Sequence, residues 1–263
     1  MSETQKYNTS LESYDNAEGA KNYIDFLNNE DGQFFRKILY ESFAKRLGNA
    51  EINRDQKILD VACGPGWLAA EVAKTWPNIE ACDGSKEFLN YARTNFPQVK
   101  FTYADLNTRL PYEDNEFDSL IMSMAAHDVE DQVKTFTELR RILKPGGKLM
   151  LTMVNPYYAF PVGVWKRGII GRLLMRKPRL LVNPYHWLAK QHSRNFTFNK
   201  TLECYFYKLS EHLNRITDAG FTFTHMEDLE SKEDSSDYNL QYRLHRFPVI
   251  VYIEFKKPLV FLN

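Results

Sequence analysis

Apolar positions along the chain change their period several times, and the changes define the elements. Residues 16–29 and 33–47 place apolar side chains three and four apart, the spacing of helices packed on one face. Short apolar runs then alternate with helical stretches. Strand 57–62 precedes helix 66–76, which stops at Pro77; strand 79–82 precedes helix 85–95; strands 99–104 and 117–123 precede helix 131–143. Strand 148–154 follows the turn Lys144-Pro145-Gly146-Gly147. Such alternation predicts a parallel sheet with crossover helices. Towards the C-terminus a helix over 205–219 is closed by Gly220, and strands 221–227 and 248–256 flank the polar stretch SKEDSSDYN, where antiparallel pairing is expected.

The alternation fails between residues 155 and 204, where Pro156, Pro161, Pro178 and Pro184 exclude one long helix. This segment reads as a lid inserted over the mouth of the sheet. Within it, GVWKRGIIGRLLMRK puts Trp165, Ile169 and Leu173 on one helical stripe among Lys166, Arg167, Arg172, Arg176 and Lys177, with Gly168 and Gly171 weakening the helix.

Charge sharpens that picture. The 34 basic and 34 acidic residues balance overall, yet residues 139–202 carry 13 Lys and Arg and no Asp or Glu. The stretch serves either as a solvated face opposite the acidic first half or as a contact for an anionic ligand, a lipid surface or a nucleic acid. A chain of 263 residues fits a single domain, divided here into an N-terminal helical cap (1–50), a core (55–154), the lid (155–204) and a closing helix and hairpin (205–263). Cys63, Cys82 and Cys204 are too scattered for a disulfide framework, no cluster has metal-ligand spacing, and the polar start lacks the apolar segment of a signal peptide. No run approaches the length of a membrane span. The expectation is a cytoplasmic protein without a metal.

The candidate chemistry begins in ILDVACGPG, where a strand carrying Asp60 runs into a turn of small residues. Gly64 and Gly66 let backbone pass close to a ligand at a helix N-terminus. The stretch lacks the third glycine of a dinucleotide fingerprint and the Gly-Lys-Ser/Thr of a phosphate loop. Asp83 ends the second strand, where a carboxylate accepts ribose hydroxyls, and Asp105 ends the third, where it accepts from an exocyclic amine. Asp60 would accept from an ammonium group. Three carboxylates at successive strand ends suit a ligand with a cationic end, a ribose and an adenine better than a pyrophosphate; as alternatives, each is a helix cap or a loop residue.

ILDVACGPG, ACDGS, YADLNTRLPYEDNEFDSL and ELRRILKPGGKLMLT, in that order, resemble the class I S-adenosylmethionine-dependent methyltransferases, most nearly the quinone-ring group. The resemblance is strong over residues 55–155. It implies an α/β, Rossmann-like, seven-stranded and mostly parallel sheet with one antiparallel strand, N-terminal helices and a lid before the last helix and hairpin. It implies S-adenosyl-L-methionine as cofactor, with Asp60, Ala62, Gly64 and Gly66 at its methionine end, Asp83 at the ribose, and Asp105 with Leu106 at the adenine. Ser123, Met124 and Ala125 would line the methyl-donating side, and Tyr14 would fold over the cofactor. Many members have Gly where this chain has Ala62.

A hydroxyl acceptor must lose a proton, and His127, just past the fourth strand, has a suitable intrinsic pKa, with Asp128 and Asp131 as orienting neighbours. Packing or capping is the alternative for His127; His186 and His192 are further candidates. The expected activity is methyl transfer to a small aromatic or lipophilic acceptor, with peripheral membrane contact through the lid. An RNA methyltransferase using residues 139–202 and a non-catalytic cofactor-binding relative are the alternatives.

Overall fold

The computed structural model describes residues 11, 14–157, 207–231, 245 and 249–259, and the backbone of 163–166, 179–182, 192–195 and 201–204. The N-terminal region forms α1 (Ala17–Asn28), α2 (Glu30–Leu47) and the short α3 (Ala50–Asn53). Asn16 caps α1 by accepting from the Gly19 amide at 2.8 Å, and Asn29 caps α2 by accepting from the Gly32 amide at 2.9 Å. Gly32 has to be a glycine, since a Cβ there would sit 2.0 Å from the Phe26 carbonyl oxygen.

The core follows as β1 (Ile58–Val61), α4 (Trp67–Ala73), β2 (Ile79–Asp83), α5 (Lys86–Asn95), β3 (Lys100–Tyr103), β4 (Phe117–Ser123), a 3₁₀ turn (Ala126–Asp128), α6 (Gln132–Ile142) and β5 (Leu143–Val154). After the short strands β6 (Gly163–Lys166), β7 (Arg179–Val182), β8 (His192–Asn195) and β9 (Thr201–Cys204) come α7 (Leu209–Asp218), β10 (Thr222–Leu229) and β11 (Ile250–Lys256). The main sheet has seven strands in the order β10-β11-β5-β4-β1-β2-β3. The β3, β2, β1, β4 and β5 strands are parallel neighbours, while β11 runs antiparallel to both β5 and β10. The seven-stranded α/β architecture expected from the sequence, with its single reversed strand and closing hairpin, is therefore present.

Alternate residues of the central strands feed two cores. Leu59, Val61, Leu120, Met122, Leu149 and Leu151 join Phe136, Leu139 and Ile216 from α6 and α7. Ile58, Ile121 and Met150 join Leu39, Phe43, Leu68, Val72 and Leu89 from α2, α4 and α5 on the other face. The sheet is thus covered by helices on both sides, which is why β1 is buried along its whole length.

The insertion departs from expectation. Residues 163–166 form β6, paired antiparallel with β7, and β8 pairs with β9, so the helical stripe proposed through Trp165 does not begin there. In the ladder register Trp165 is paired with Leu180. Ile169, Leu173 and His186 lie outside the described residues, as does the His192 side chain. Among the described residues no helix is long and apolar enough to cross a membrane, and no group of His, Cys, Asp and Glu is gathered to hold a metal.

Candidate active site

The strand order reverses direction of growth between β1 and β4, and a cavity lies across the carboxyl ends of β1 to β4 there, the usual ligand position in open α/β sheets. Sheet hydrogen bonds carry past each strand end and fix the walls. The Cys63 amide donates to the Cys82 carbonyl, the Ala104 amide to Asp83 and the Met124 amide to Thr152. Two non-glycine residues at the rim, Ala62 and Met124, hold left-handed backbones with φ of 54° and 58°. Such geometry costs on the order of 1–3 kcal/mol and marks sites where local comfort yields to a shaped surface.

Tyr14, Ala62, Gly64, Asp83, Asp105, Leu106, Ser123, Met124 and Ala125 all reach this cavity. The Asp83 carboxylate organises it, because Oδ2 accepts from the Gly64 amide at 2.7 Å and Oδ1 from the Ser85 amide at 2.8 Å. Burial pushes the Asp83 carboxyl up to about 6, against the pull of these amides. Each oxygen retains a second lone pair for a ligand hydroxyl. Asp105 is held by an Asx turn, its Oδ1 accepting from the Asn107 amide at 2.9 Å and side chain at 3.0 Å. The N-terminal segment docks through its backbone, with Ser85 Oγ donating to the Tyr14 carbonyl at 2.8 Å and the Lys86 amide to Asp15 at 2.6 Å.

Asp60 lies in an adjoining cavity with Phe35, Leu39, Trp67 and Leu68, and Tyr23, Ala62, Gly64, Ser123 and Met124 wall both spaces. Its side chain is 1% exposed and neither oxygen has a hydrogen-bond partner. Burial, reinforced by Asp83, raises the carboxyl to about 8, against an opposing pull from the Ala69 amide. A buried carboxylate without a partner is costly. Of the chemical groups of S-adenosylmethionine, the ammonium answers that deficit, the ribose diol suits Asp83 and the adenine amine suits Asp105; the residues present therefore fit the cofactor.

Three expectations need correction. Gly66 lines neither cavity: at φ 82°, a Cβ there would meet the Phe101 ring at 2.7 Å and Ala92 Cβ at 2.9 Å, so its smallness serves the packing of α4. His127 is 4% exposed in the 3₁₀ turn and does not line the cavity, whereas Asp128, expected to stand behind it, does. The two are 4.0 Å apart, and Asp131 instead caps α6 through the Lys134 amide at 3.1 Å.

Sequence reasoning missed Tyr23, Phe88, Gly84 and Asn107, all of which line the larger cavity. The Gly84 position alone carried a signal, the glycine directly after Asp83; a Cβ there would approach a Leu11 methyl to 2.9 Å. The aromatic pair carried none, because Tyr23 and Phe88 meet only once α1 crosses α5.

The methyltransferase domain family matches residues 59–151. A demethylmenaquinone methyltransferase of Paenarthrobacter aurescens is 30% identical over 142 residues, 54% of this chain and 51% of that protein. A ubiquinone/menaquinone biosynthesis C-methyltransferase of Campylobacter jejuni is 33% identical over 114 residues, 41% of this chain and 48% of the other. The chain thus spans about half the length of the curated relatives it matches. Among solved structures, an S-adenosylmethionine-dependent methyltransferase from Mesorhizobium loti superposes with a TM-score of 0.61 at 23% identity, covering 77% of this chain and 91% of that one. The fold is that of the solved S-adenosylmethionine-dependent methyltransferase it superposes on, and residues 59–151 are similar to methyltransferase domains. These sequence relatives are named for demethylmenaquinone and for ubiquinone and menaquinone.

Proposed function

We propose that the protein is an S-adenosylmethionine-dependent methyltransferase acting on a ring carbon of a small, lipophilic, quinone-type acceptor. The observation that carries the cofactor reading is the buried, unpartnered Asp60 carboxylate beside a cavity whose other walls hold Asp83 and Asp105. The ring-carbon reading rests on the relatives, which are named for demethylmenaquinone and for ubiquinone and menaquinone, and these favour a small acceptor over an RNA.

When bound, the cofactor supplies an activated methyl group on a sulfonium. The chain's own work is then placement: Asp60 anchors the amino-acid end and Asp83 the ribose, the Asp105 turn receives the base, and the left-handed Ala62 and Met124 shape the wall between. Holding reactants in line supplies roughly 7–11 kcal/mol of a barrier, enough to make positioning the main catalytic device.

Incubation with adenosylmethionine and a demethylated naphthoquinol, followed by mass spectrometry, should show the gain of one methyl on the ring. Asp83→Ala should abolish calorimetric cofactor binding while circular dichroism stays unchanged. Undiminished affinity would remove Asp83 from the site, and cofactor binding without turnover on any ring acceptor would favour the non-catalytic alternative.

A further inference from the structure

The two cavities share one wall, made by Tyr23, Ala62, Gly64, Ser123 and Met124. Adenosylmethionine is a linear sequence of groups, amino acid, sulfonium, ribose and adenine. If Asp60 holds the amino-acid end in one cavity and Asp83 the ribose in the other, the positively charged sulfur belongs beside the shared wall. Among those five residues Tyr23 carries the one aromatic ring.

That ring is held by its neighbours. Its centroid lies 5.6 Å from Tyr14 at an interplanar angle of 61°, 5.6 Å from Phe88 and 6.4 Å from Phe26. The glycine turn lies close to it, since a Cβ on Gly64 would be 3.8 Å from Tyr23 Cε1. An aromatic face fixed in advance attracts a cation without an ordering cost, most strongly where water is excluded.

We propose that Tyr23 recognises the sulfonium charge, so that the site distinguishes charged adenosylmethionine from its neutral product, adenosylhomocysteine. The inference rests on the cofactor reading given above. It gives α1 a task in the reaction cycle: the cation is retained until transfer, and the hold weakens once the charge is gone.

The test is calorimetric binding of each nucleoside separately to the full chain. Tyr23→Leu should weaken adenosylmethionine roughly 3- to 30-fold more than adenosylhomocysteine, the range expected for a desolvated cation–aromatic contact. Tyr23→Phe should keep the wild-type ratio. Fluorinated phenylalanines at position 23, which drain the ring face while preserving its shape, should lower adenosylmethionine affinity stepwise and leave adenosylhomocysteine unchanged, and they serve if the leucine variant does not fold. Equal losses for both ligands, or none, would overturn the role of Tyr23. Failure of the wild-type chain to bind either nucleoside would instead overturn the cofactor reading itself.

Discussion

Asp60 shows how much one residue in an apolar strand can cost and why the cost is kept. Its carboxyl stands near 8 rather than 3.8, so the folded chain favours the protonated form and ionisation at higher pH works against folding. The sign is that of a raised acid: the contribution of Asp60 to stability is greatest below about pH 4 and is lost progressively as pH rises towards 8. At about 1.4 kcal/mol per unit the accumulated penalty is on the order of a few kcal/mol. Asp60→Asn should therefore melt higher than wild type at pH 8 and nearly with it at pH 4, while binding adenosylmethionine at least tenfold more weakly. Calorimetry at pH 7 in buffers of different ionisation enthalpy should show proton release on binding to wild type and markedly less to the variant. A variant that is no more stable at pH 8 would mean that Asp60 is solvated in solution. The residue was legible because a carboxylate interrupts the run Ile58-Leu59-Asp60-Val61; its missing partner was not, since that depends on what α4 and β2 bring near.

Elements were legible where period and punctuation agree. The strands of the parallel core fall within a residue or two of the expected bounds, apart from β5, whereas α2 begins three residues before the expected position 33, behind its Asn29 cap. β5 begins earlier than expected because Leu143 already pairs with Phe117, before a register shift across Lys144-Pro145-Gly146-Gly147 and a resumed ladder at Lys148. The strands β6 to β9 were missed because four-residue ladders leave too few alternations to compete with a weak helical stripe. Gly66 illustrates a different failure, in which the motif was seen and its reason was not. Gly66→Ala combines a left-handed backbone with two close contacts, and should destabilise the fold by roughly 2–4 kcal/mol in urea unfolding. Cofactor stoichiometry in the fraction that folds should stay at wild type. Loss of binding with unchanged stability would return Gly66 to the ligand site.

At the scale of the molecule, the C-terminal half is tied to the cavity by buried polar links rather than by apolar contact alone. Gln132 Nε2 donates to the Ala126 carbonyl at 2.7 Å, so its Oε1 is left to accept from His212 Nδ1 at 3.1 Å. That bond leaves His212 Nε2 bare, buried and without a hydrogen-bond partner. Protonation would place an N–H there with no acceptor, beside His127 and Arg215, and His212 is pushed down to about 3 by burial first and by those two neighbours after. For a base whose folded pKa lies below the ordinary 6.5, the contribution to stability is complete above about pH 6.5 and is lost as pH falls towards 3, because the unfolded chain takes up the proton first. Four residues of the turn region, Ala125 to Asp128, hang from this link, and Ala125 and Asp128 are cavity wall. Acid should thus loosen the cavity and the fold together. In urea unfolding between pH 7 and pH 4, wild type should lose stability more steeply than His212→Gln, which starts lower but has no imidazole to titrate. The difference between the two slopes should approach 1.4 kcal/mol per pH unit below pH 6. Parallel curves, or a His212 ring that titrates near 6.5 by nuclear magnetic resonance, would mean that this junction opens to water in the native state.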